Sequence, residues 1–321
     1  MFLIQKNLFQ LVGRKSAYVF FGVCLCARSR ALAVSVIVLS NASIAEDFLP
    51  EDMKKRVPVS VMEKTETEAC FDIKGQTAIV TGASSGLGVT FAEALAECGA
   101  NVVLAARRID RLEKLAYDLT RKHDIKAVPV KTDVSQEPDV LRMVSTAIER
   151  FGSLEILVNN AGIASLSPSV EMSVDEWKKV IDVNLTGVFL CARTAAREMI
   201  KKKYGKIVNI ASIYGAVGDV FHAAPYYASK GAVINLTRAF AIEWAQHKIN
   251  VNAIAPGFFP SEMTEQVFKD ENALKHILSR TPLGRTGEPS DLKTVLLYLA
   301  SPASNYITGQ TIFVDGGWTA L

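Results

Sequence analysis

Short, unbroken apolar runs alternate along residues 74–321 with longer segments of helical periodicity. The apolar runs predict strands over 77–80, 102–105, 127–130, 155–158, 207–210, 249–254 and 311–314. The periodic segments predict helices over 89–98, 109–122, 140–151, 175–202, 226–246, near 263–278 and near 290–300. Strands that are apolar throughout are typical of a parallel sheet covered on both faces. The pattern therefore predicts one α/β domain: a Rossmann-type, doubly wound parallel sheet of about seven strands with helices on both faces.

Segments rich in Gly, Asn and Ser follow most of the predicted strands. They are 81–88, 106–108, 133–134, 159–162, 211–215 and 256–261. In a doubly wound sheet, ligands bind beyond the carboxyl ends of the strands. We therefore expect these segments to form one shared site.

Residues 1–61 differ in amino-acid pattern from the rest of the chain. Two apolar runs, 16–27 and 31–39, flank a pair of arginines, and neither reaches the ~18 residues that a membrane-spanning helix needs. Arginines, an apolar run and small residues up to Ala45 resemble a signal-like segment with a cleavage site. We expect residues 1–61 to be a removable leader or a mis-assigned start, more readily than a membrane anchor. Residues 62–73 then form a linker and 74–321 a single folded domain. The expected location is the cytoplasm, or an exported or organellar one if residues 1–45 act as a targeting segment.

Charge and composition exclude several classes of function. The net charge of +3 is uneven: residues 1–61 carry eight basic and four acidic side chains, which leaves a net charge of −1 for the remainder. A nearly neutral domain gives no reason to expect a nucleic-acid partner. The five cysteines and four histidines form no metal-binding spacing, so we expect no metal site.

A glycine-rich loop joins the first predicted strand of the domain to its helix. Gly82, Gly86 and Gly88 follow the spacing G-x-x-x-G-x-G. Glycines let the backbone approach a pyrophosphate, whose charge is favoured at a helix N-terminus. The alternative is a turn that only connects strand to helix.

Arg107 and Arg108 follow the second strand, where a site that prefers NAD would offer a carboxylate to the ribose 2′-hydroxyl. Two guanidinium groups suit a 2′-phosphate instead. We therefore expect NADP(H) to be favoured over NAD(H). The alternative is that both arginines simply face solvent.

Tyr226 and Lys230 lie four residues apart in a predicted helix, so they share a face. A cationic lysine near a phenol favours the phenolate and lowers the tyrosine pKa. Alone, such a pair is usually an ordinary pair of surface neighbours.

Six motifs in register change that interpretation. They are Thr81-Gly82-x3-Gly86-x-Gly88, Asn159-Asn160-Ala161-Gly162, Asn184, Ser212, Tyr226-x3-Lys230 and Pro256-Gly257. Over residues 74–319 the chain resembles the short-chain dehydrogenase/reductase family, in the single-domain branch that includes 3-oxoacyl-ACP reductase and gluconate 5-dehydrogenase. The resemblance implies an NAD(P)-dependent oxidoreductase acting on CH-OH donors. It also implies a homo-oligomer, a dimer or a homotetramer.

The resemblance implies catalytic roles for Asn184, Ser212, Tyr226 and Lys230. Tyr226 would exchange a proton with the substrate oxygen and Ser212 would hydrogen-bond that oxygen. Lys230 would lower the pKa of Tyr226 and contact the nicotinamide ribose, and Asn184 would help hold a water that relays protons to Lys230. The implied cofactor-binding residues are Gly82, Ser84, Ser85, Gly86, Leu87, Gly88, Arg107, Arg108, Asp133, Val134, Asn160, Ala161, Gly162, Tyr226, Lys230, Pro256, Gly257, Phe259 and Ser261.

Two departures from the family pattern concern loops. Tyr226 lies 14 positions after Ser212, about one more than expected, so we expect the loop between them to bulge. Ser261 stands near a position where the family commonly has Thr, which leaves its contact with the carboxamide open. Tyr227 is out of register with the motif and is expected to pack or to line the substrate mouth.

The substrate is expected to be a small-molecule carbonyl or alcohol. The segments 213–224 and 258–280 are rich in aromatic side chains, which favours a 3-oxoacyl or other hydrophobic carbonyl compound. The same residues could equally be interior packing or a subunit contact. A sugar-acid (gluconate-like) dehydrogenase is the first alternative. A non-catalytic dinucleotide-binding regulator on the same fold is the second.

Overall fold

The computed structural model describes residues 18–25, 32–39 and 65–321. The chain divides into two compact units, Met1–Thr65 and Glu66–Leu321. In the first unit, β1 (Tyr18–Leu25) pairs antiparallel with β2 (Leu32–Leu39), and Tyr18 lies opposite Leu39. The two apolar runs of the predicted leader therefore form strands. The predicted cleavage site near Ala45 and the alternative start at Met62 lie outside the described residues.

The second unit is built on a seven-stranded sheet in which every pairing is parallel. Its strands are β3 (Thr77–Thr81), β4 (Asn101–Ala106), β5 (Ala127–Lys131), β6 (Ile156–Asn159), β7 (Gly205–Ile210), β8 (Ile249–Pro256) and β9 (Thr311–Val314). The spatial order is β5-β4-β3-β6-β7-β8-β9. The strand order reverses between β3 and β6, and such a switch point opens a crevice for a ligand. The predicted fold class is confirmed.

Helices cover both faces of the sheet. They are α1 (Glu66–Cys70), α2 (Leu87–Glu97), α3 (Ile109–Lys122), α4 (Glu137–Phe151), α5 (Val174–Ile181), α6 (Gly187–Lys202), α7 (Ala224–Trp244), α8 (Glu265–Lys269), α9 (Glu271–Ser279) and α10 (Pro289–Ala300). Two large buried apolar clusters hold the layers together, one containing Phe91 and Leu104, the other Leu157 and Met199. Within the described part of the chain, none of the helices is both long and apolar enough to cross a membrane.

Two differences from the predicted elements have physical causes. The helix predicted over 175–202 starts with Ser173 as its N-cap, whose hydroxyl accepts from Glu176 N, but a π-helical segment, Asp182–Thr186, interrupts it between α5 and α6. A π segment inserts an extra residue into the turn and often marks a functional site. The predicted linker 62–73 also contains α1, and Ile73 is fully buried in the core.

Candidate active site

A cavity of about 460 Å³ opens at the carboxyl ends of the strands, beside the switch point of the sheet. Every predicted site residue lines this cavity except Gly88 and Asn184. Sequence reasoning missed other lining residues, of which Thr132, Ile163, Val183, Glu262 and Thr264 are examples. The expectation of one shared site at this edge of the sheet agrees with the geometry.

The glycine loop is tight because its backbone folds closely onto itself. Gly82 has a φ of +68°, and a Cβ built on Gly88 would lie only 2.2 Å from the Gly82 carbonyl oxygen. Gly88 therefore contributes by leaving room for the loop, although it does not reach the cavity. The loop leads directly into α2, whose N-terminal N–H groups suit an anionic group such as a pyrophosphate.

Thr81 and Asn160 fix the loop against β6. The Thr81 hydroxyl accepts from the backbone N–H groups of Asn160 and Ala161, at 3.0 Å each, and lies 3.3 Å from the Val158 carbonyl oxygen. The Asn160 amide donates to the Thr81 carbonyl at 2.9 Å. These bonds hold the carboxyl ends of β3 and β6 together, so they shape the centre of the cavity.

The two arginines after β4 have different surroundings. Arg107 is exposed and forms no hydrogen bond or ion pair with any residue the structure describes. Arg108 instead donates to Ser84 Oγ and Ser85 Oγ, and its Nη2 lies 3.0 Å from Glu262 Oε2. Glu262 also pairs with Arg111, and hydrogen bonds from Arg111 and Arg108 lower its pKa to about 2. Only Arg107 is therefore left free to bind a further anion.

Asp133 and Val134 lie at the end of the cavity that follows β5. The Asp133 carboxylate accepts from Ser135 N and Ser135 Oγ at 3.0 and 2.7 Å, so it also closes a local turn. Val134 is buried, and a Cβ at Gly187 would lie 2.7 Å from its side chain. Asp133 is thus held by its turn with Ser135, and Val134 by packing on Gly187 at the start of α6.

Ser212, Tyr226 and Lys230 meet at the other end of the same cavity. Ser212 follows β7, and Lys230 Nζ donates to the Ile210 carbonyl at 2.7 Å. The ammonium lies 5.5 Å from the Tyr226 ring centroid. Two hydroxyls and a cation around one space can polarise a carbonyl group and give it a proton.

Burial is the main influence on the pKa values of Lys230 and Tyr226. It lowers the pKa of Lys230 to about 8. It raises the pKa of Tyr226, while the interaction with Ser212 acts in the opposite direction. The expected lowering of the Tyr226 pKa by Lys230 is not found: burial, which removes the phenolate from water, raises the pKa, and the effect in the opposite direction comes from Ser212. At neutral pH the Tyr226 hydroxyl carries its proton.

Asn184 lies behind the cavity, in the π-helical segment, and is fully buried. Its side chain exchanges two bonds of 2.8 Å with the backbone of Ile163 and donates to Ser229 Oγ at 3.2 Å. A Cβ at Gly162 would lie 3.5 Å from Asn184 Oδ1 and 3.7 Å from Lys230 Nζ, so both groups converge on this glycine. In the structure, Asn184 braces the segment after β6 and the helix that carries Lys230.

The loop after β8 covers the cavity. A Cβ on Gly86 would lie 3.2 Å from Ser261 Cβ, so this loop packs on the glycine loop. Ser261 and Thr264 share a 3.0 Å hydrogen bond between their hydroxyls, and Thr264 also donates to the Phe259 carbonyl. Thr264, only three residues beyond Ser261, supplies a cavity-lining hydroxyl that the sequence reasoning overlooked.

Most of the aromatic side chains expected around the substrate pack against one another instead. The rings of Phe221 and Phe258 pack against Tyr214, with centroid distances of 6.4 and 6.0 Å. Phe268 packs with Phe258 on a small core around the buried Trp318. Of the large apolar side chains in segments 213–224 and 258–280, Phe259 and Met263 line the cavity, together with the polar Ser261, Glu262 and Thr264. The cavity is therefore less apolar than the sequence suggested.

Comparisons with known proteins find similar sequences over this same domain. Residues 82–319 match the family described as enoyl-(acyl carrier protein) reductase. The chain is 41% identical over 253 residues to 2-dehydro-3-deoxy-D-gluconate 5-dehydrogenase of Dickeya dadantii (strain 3937), covering 78% of this chain and 98% of that relative. It is 40% identical over 250 residues to gluconate 5-dehydrogenase of Gluconobacter oxydans (strain 621H), covering 78% and 96%.

A solved structure is similar over the same region. The crystal structure of a gluconate 5-dehydrogenase from Burkholderia cenocepacia J2315, in complex with NADP and tartrate, is 37% identical and superposes with a TM-score of 0.76. The match covers 79% of this chain and 98% of that one. Similarity therefore extends over nearly the whole length of these relatives.

Proposed function

The chain belongs to the short-chain dehydrogenase/reductase family and is an NAD(P)-dependent oxidoreductase, and on that premise we propose that it interconverts a keto group and a secondary alcohol of a sugar acid. The observation that carries the chemistry is the meeting of Ser212, Tyr226 and Lys230 in one cavity with the glycine loop. The relatives named for gluconate and its deoxy derivative support the substrate class.

Proton handling is assigned to Tyr226 in this proposal. A nicotinamide dinucleotide, when bound, supplies or accepts the hydride. The Tyr226 hydroxyl, which is protonated at neutral pH because burial raises its pKa, gives its proton to the carbonyl oxygen during reduction. Ser212 donates a second hydrogen bond to that oxygen and stabilises the developing negative charge. Lys230 holds its positive charge beside the phenol ring and favours the phenolate that forms.

The residues around the cavity fit a dinucleotide. A Cβ at Gly82 or Gly88 would clash with neighbouring backbone, so the loop is tight at these two positions, as close approach of its backbone to a pyrophosphate requires. For the ribose 2′ position we propose a phosphate, hence NADP(H) over NAD(H), held by Arg107, whose side chain has no partner among the residues that the structure describes. Relatives with NADP in their crystals support this choice. Arg108 has a different role, because it is already bound to Ser84, Ser85 and Glu262.

The sugar-acid substrate replaces the 3-oxoacyl compound that the sequence favoured. The aromatic side chains that suggested an apolar substrate pack among themselves, so they do not argue for a hydrophobic pocket. The relatives that align over nearly their full length act on sugar acids by their names. Both lines support the alternative over the first expectation.

A substrate panel with NADPH tests the proposal. Keto forms of six-carbon sugar acids are compared with 3-oxoacyl thioesters while NADPH absorbance is followed. We expect turnover of the sugar acids with a kcat/KM at least ~100-fold above that of the thioesters, which corresponds to an ordinary hydrogen-bonding preference. Preference for the thioesters would reverse the substrate assignment. NADPH binding without any turnover would favour the non-catalytic regulator.

Three further expectations remain proposals. We propose that residues 1–61 are a removable leader or a mis-assigned start. N-terminal sequencing of the native protein distinguishes a start at Met62, cleavage near Ala45 and retention of the segment. We propose a homo-oligomer, a dimer or tetramer, to be measured by light scattering. We propose that the enzyme acts in the cytoplasm, which fractionation of the native cells tests.

A further inference from the structure

One loop connects the two hydroxyl-bearing residues of the site. Ser212 is followed by a 3₁₀ turn, Ile213–Gly215, then by residues 216–223, and α7 begins just before Tyr226. This loop carries the extra length noted in the sequence. The relative placement of Ser212 and Tyr226 depends on how firmly it is held.

Asp219 holds this loop from inside. Its carboxylate is completely buried. Oδ2 accepts from the Tyr214 hydroxyl at 3.0 Å, and Oδ1 accepts from Val220 N at 2.8 Å. Oδ1 also lies 2.9 Å from His276 Nε2 on α9 and 3.9 Å from Arg280 Nη1 just beyond it. A buried carboxylate is costly unless it is hydrogen-bonded and paired, so these partners must stay in place together.

Tyr214 transmits this restraint to both hydroxyl-bearing residues. Its backbone N–H donates to Ser212 Oγ at 3.2 Å. Its ring stacks on Tyr227, the neighbour of Tyr226, with centroids 4.5 Å apart and an interplanar angle of 28°. Burial and the charge of Asp219 raise the pKa of Tyr214, so its hydroxyl remains a donor to the carboxylate.

We infer that Asp219 is a positioning residue for catalysis: its carboxylate clamps loop 216–223 to α9 and Arg280 and, through Tyr214, sets the spacing of Ser212 and Tyr226. Asp219 touches neither substrate nor dinucleotide, since it does not line the cavity. The inference rests on the proposed function in one respect, because its kinetic readout needs a substrate that is turned over.

The test compares Asp219→Asn with Asp291→Asn. Asp291 is a matched control: its carboxylate also holds an arginine, Arg285, and a backbone N–H, that of Glu288, but it lies on α10. For Asp219→Asn we expect kcat to fall about tenfold, a small misplacement by the standard of catalytic geometry, while the Kd for NADPH stays within about twofold. For Asp291→Asn we expect kcat to stay within about twofold of the wild-type value, even if its melting temperature falls by as much as that of Asp219→Asn.

Hydrogen exchange gives a second readout that needs no substrate. Asp219→Asn should accelerate amide exchange over residues 213–227, whereas Asp291→Asn should leave that segment unchanged. Tyr214→Phe, which removes one donor and keeps the ring, should lower kcat in the same direction by a smaller factor.

The outcomes distinguish the positioning role of Asp219 from the proposed function. Equal losses of kcat in Asp219→Asn and Asp291→Asn would mean that Asp219 acts through general stability, and the inference would be overturned. Unchanged exchange over 213–227 in Asp219→Asn would overturn it as well. If the wild type binds NADPH but reduces no sugar acid, the proposed function fails on its own, and the exchange experiment alone then decides on the clamp.

Discussion

Glu262 Oε2 lies 3.0 Å from Arg108 Nη2, so the loop after β8 is tied to the loop after β4. Arg111 pairs with the same carboxylate, and Arg108 also bonds to Ser84 and Ser85 of the glycine loop. The ion pair therefore bridges two loops that both line the cavity.

We expect Glu262→Gln to release NADPH faster, by about two- to fivefold, because exposed ion pairs contribute only about 0–1 kcal/mol each. Stopped-flow fluorescence of bound NADPH measures the dissociation rate. Glu265→Gln is the control, since the partner of Glu265 within the described residues is Lys269 on the same helix. Added salt should speed release from the wild type and leave the variant less affected. Slower release from Glu262→Gln would show that the carboxylate repels the cofactor instead.

Arg107→Ala and Arg108→Ala should separate cofactor choice from loop support. Because Arg107 is free, its removal should weaken NADPH binding by at least ~10-fold and leave NADH nearly unchanged, the pattern for loss of a contact to one phosphate. Because Arg108 braces the glycine loop, its removal should weaken both cofactors. Isothermal titration of each variant with NADPH and NADH measures this. Equal losses for both cofactors in Arg107→Ala would refute the assignment of the 2′-phosphate.

Tyr226→Phe should lower kcat by at least ~100-fold, within the contribution of a general acid, while NADPH binding is retained. Tyr227→Phe is the matched control, because that substitution keeps the ring that stacks on Tyr214. The assay is steady-state reduction of the best substrate of the panel. Wild-type turnover by Tyr226→Phe would exclude Tyr226 as the proton donor.

Lys206 gives a prediction about stability and pH. Its ammonium is buried at the start of β7 and donates to Asn250, Ser304 and Asn305 at 2.9, 3.2 and 2.9 Å, and burial lowers its pKa to about 8 from 10.5. Between these two values the unfolded chain binds more protons than the folded one, so the free energy of unfolding rises with pH in this window, by at most ~1.4 kcal/mol per pH unit for one group. Lys230 contributes in the same direction.

The comparison of Lys206→Met with the wild type by urea unfolding at pH 8 and pH 10 isolates this contribution. Between pH 8 and pH 10 the variant should gain less stability than the wild type. It should also be less stable than the wild type at both pH values, because three acceptors lose their donor. Lys114→Met, at an exposed position, should keep the wild-type dependence. The same slope in Lys206→Met and the wild type would contradict the lowered pKa.

Local patterns predicted the sheet and much of the cavity lining. Tyr226 and Lys230 could be placed on one helical face, and the glycine loop at a strand end, because both follow from spacing within a few residues. The Glu262–Arg111 contact could not be predicted in this way, since its partners are 151 positions apart and many carboxylates could have met that arginine.

Burial and packing were the other effects hidden from the sequence. Tyr226 was expected to have a lowered pKa from the adjacent charge of Lys230, but the degree of burial, which raises it, depends on the whole fold. Likewise, Phe221 and Phe258 are apolar loop residues that could line a substrate pocket or pack together, and only the tertiary arrangement of Tyr214 and Trp318 decides for packing.

The π-helical turn Asp182–Thr186 gives its helix room for one extra residue. Deleting one residue from this turn would restore regular α-helical winding and remove the bulge on which Asn184 stands, while α5 and α6 would stay nearly in phase. The two bonds that Asn184 now makes with the Ile163 backbone would then be lost. A shortened variant could thus keep a well-wound helix and yet leave the segment after β6 without this support.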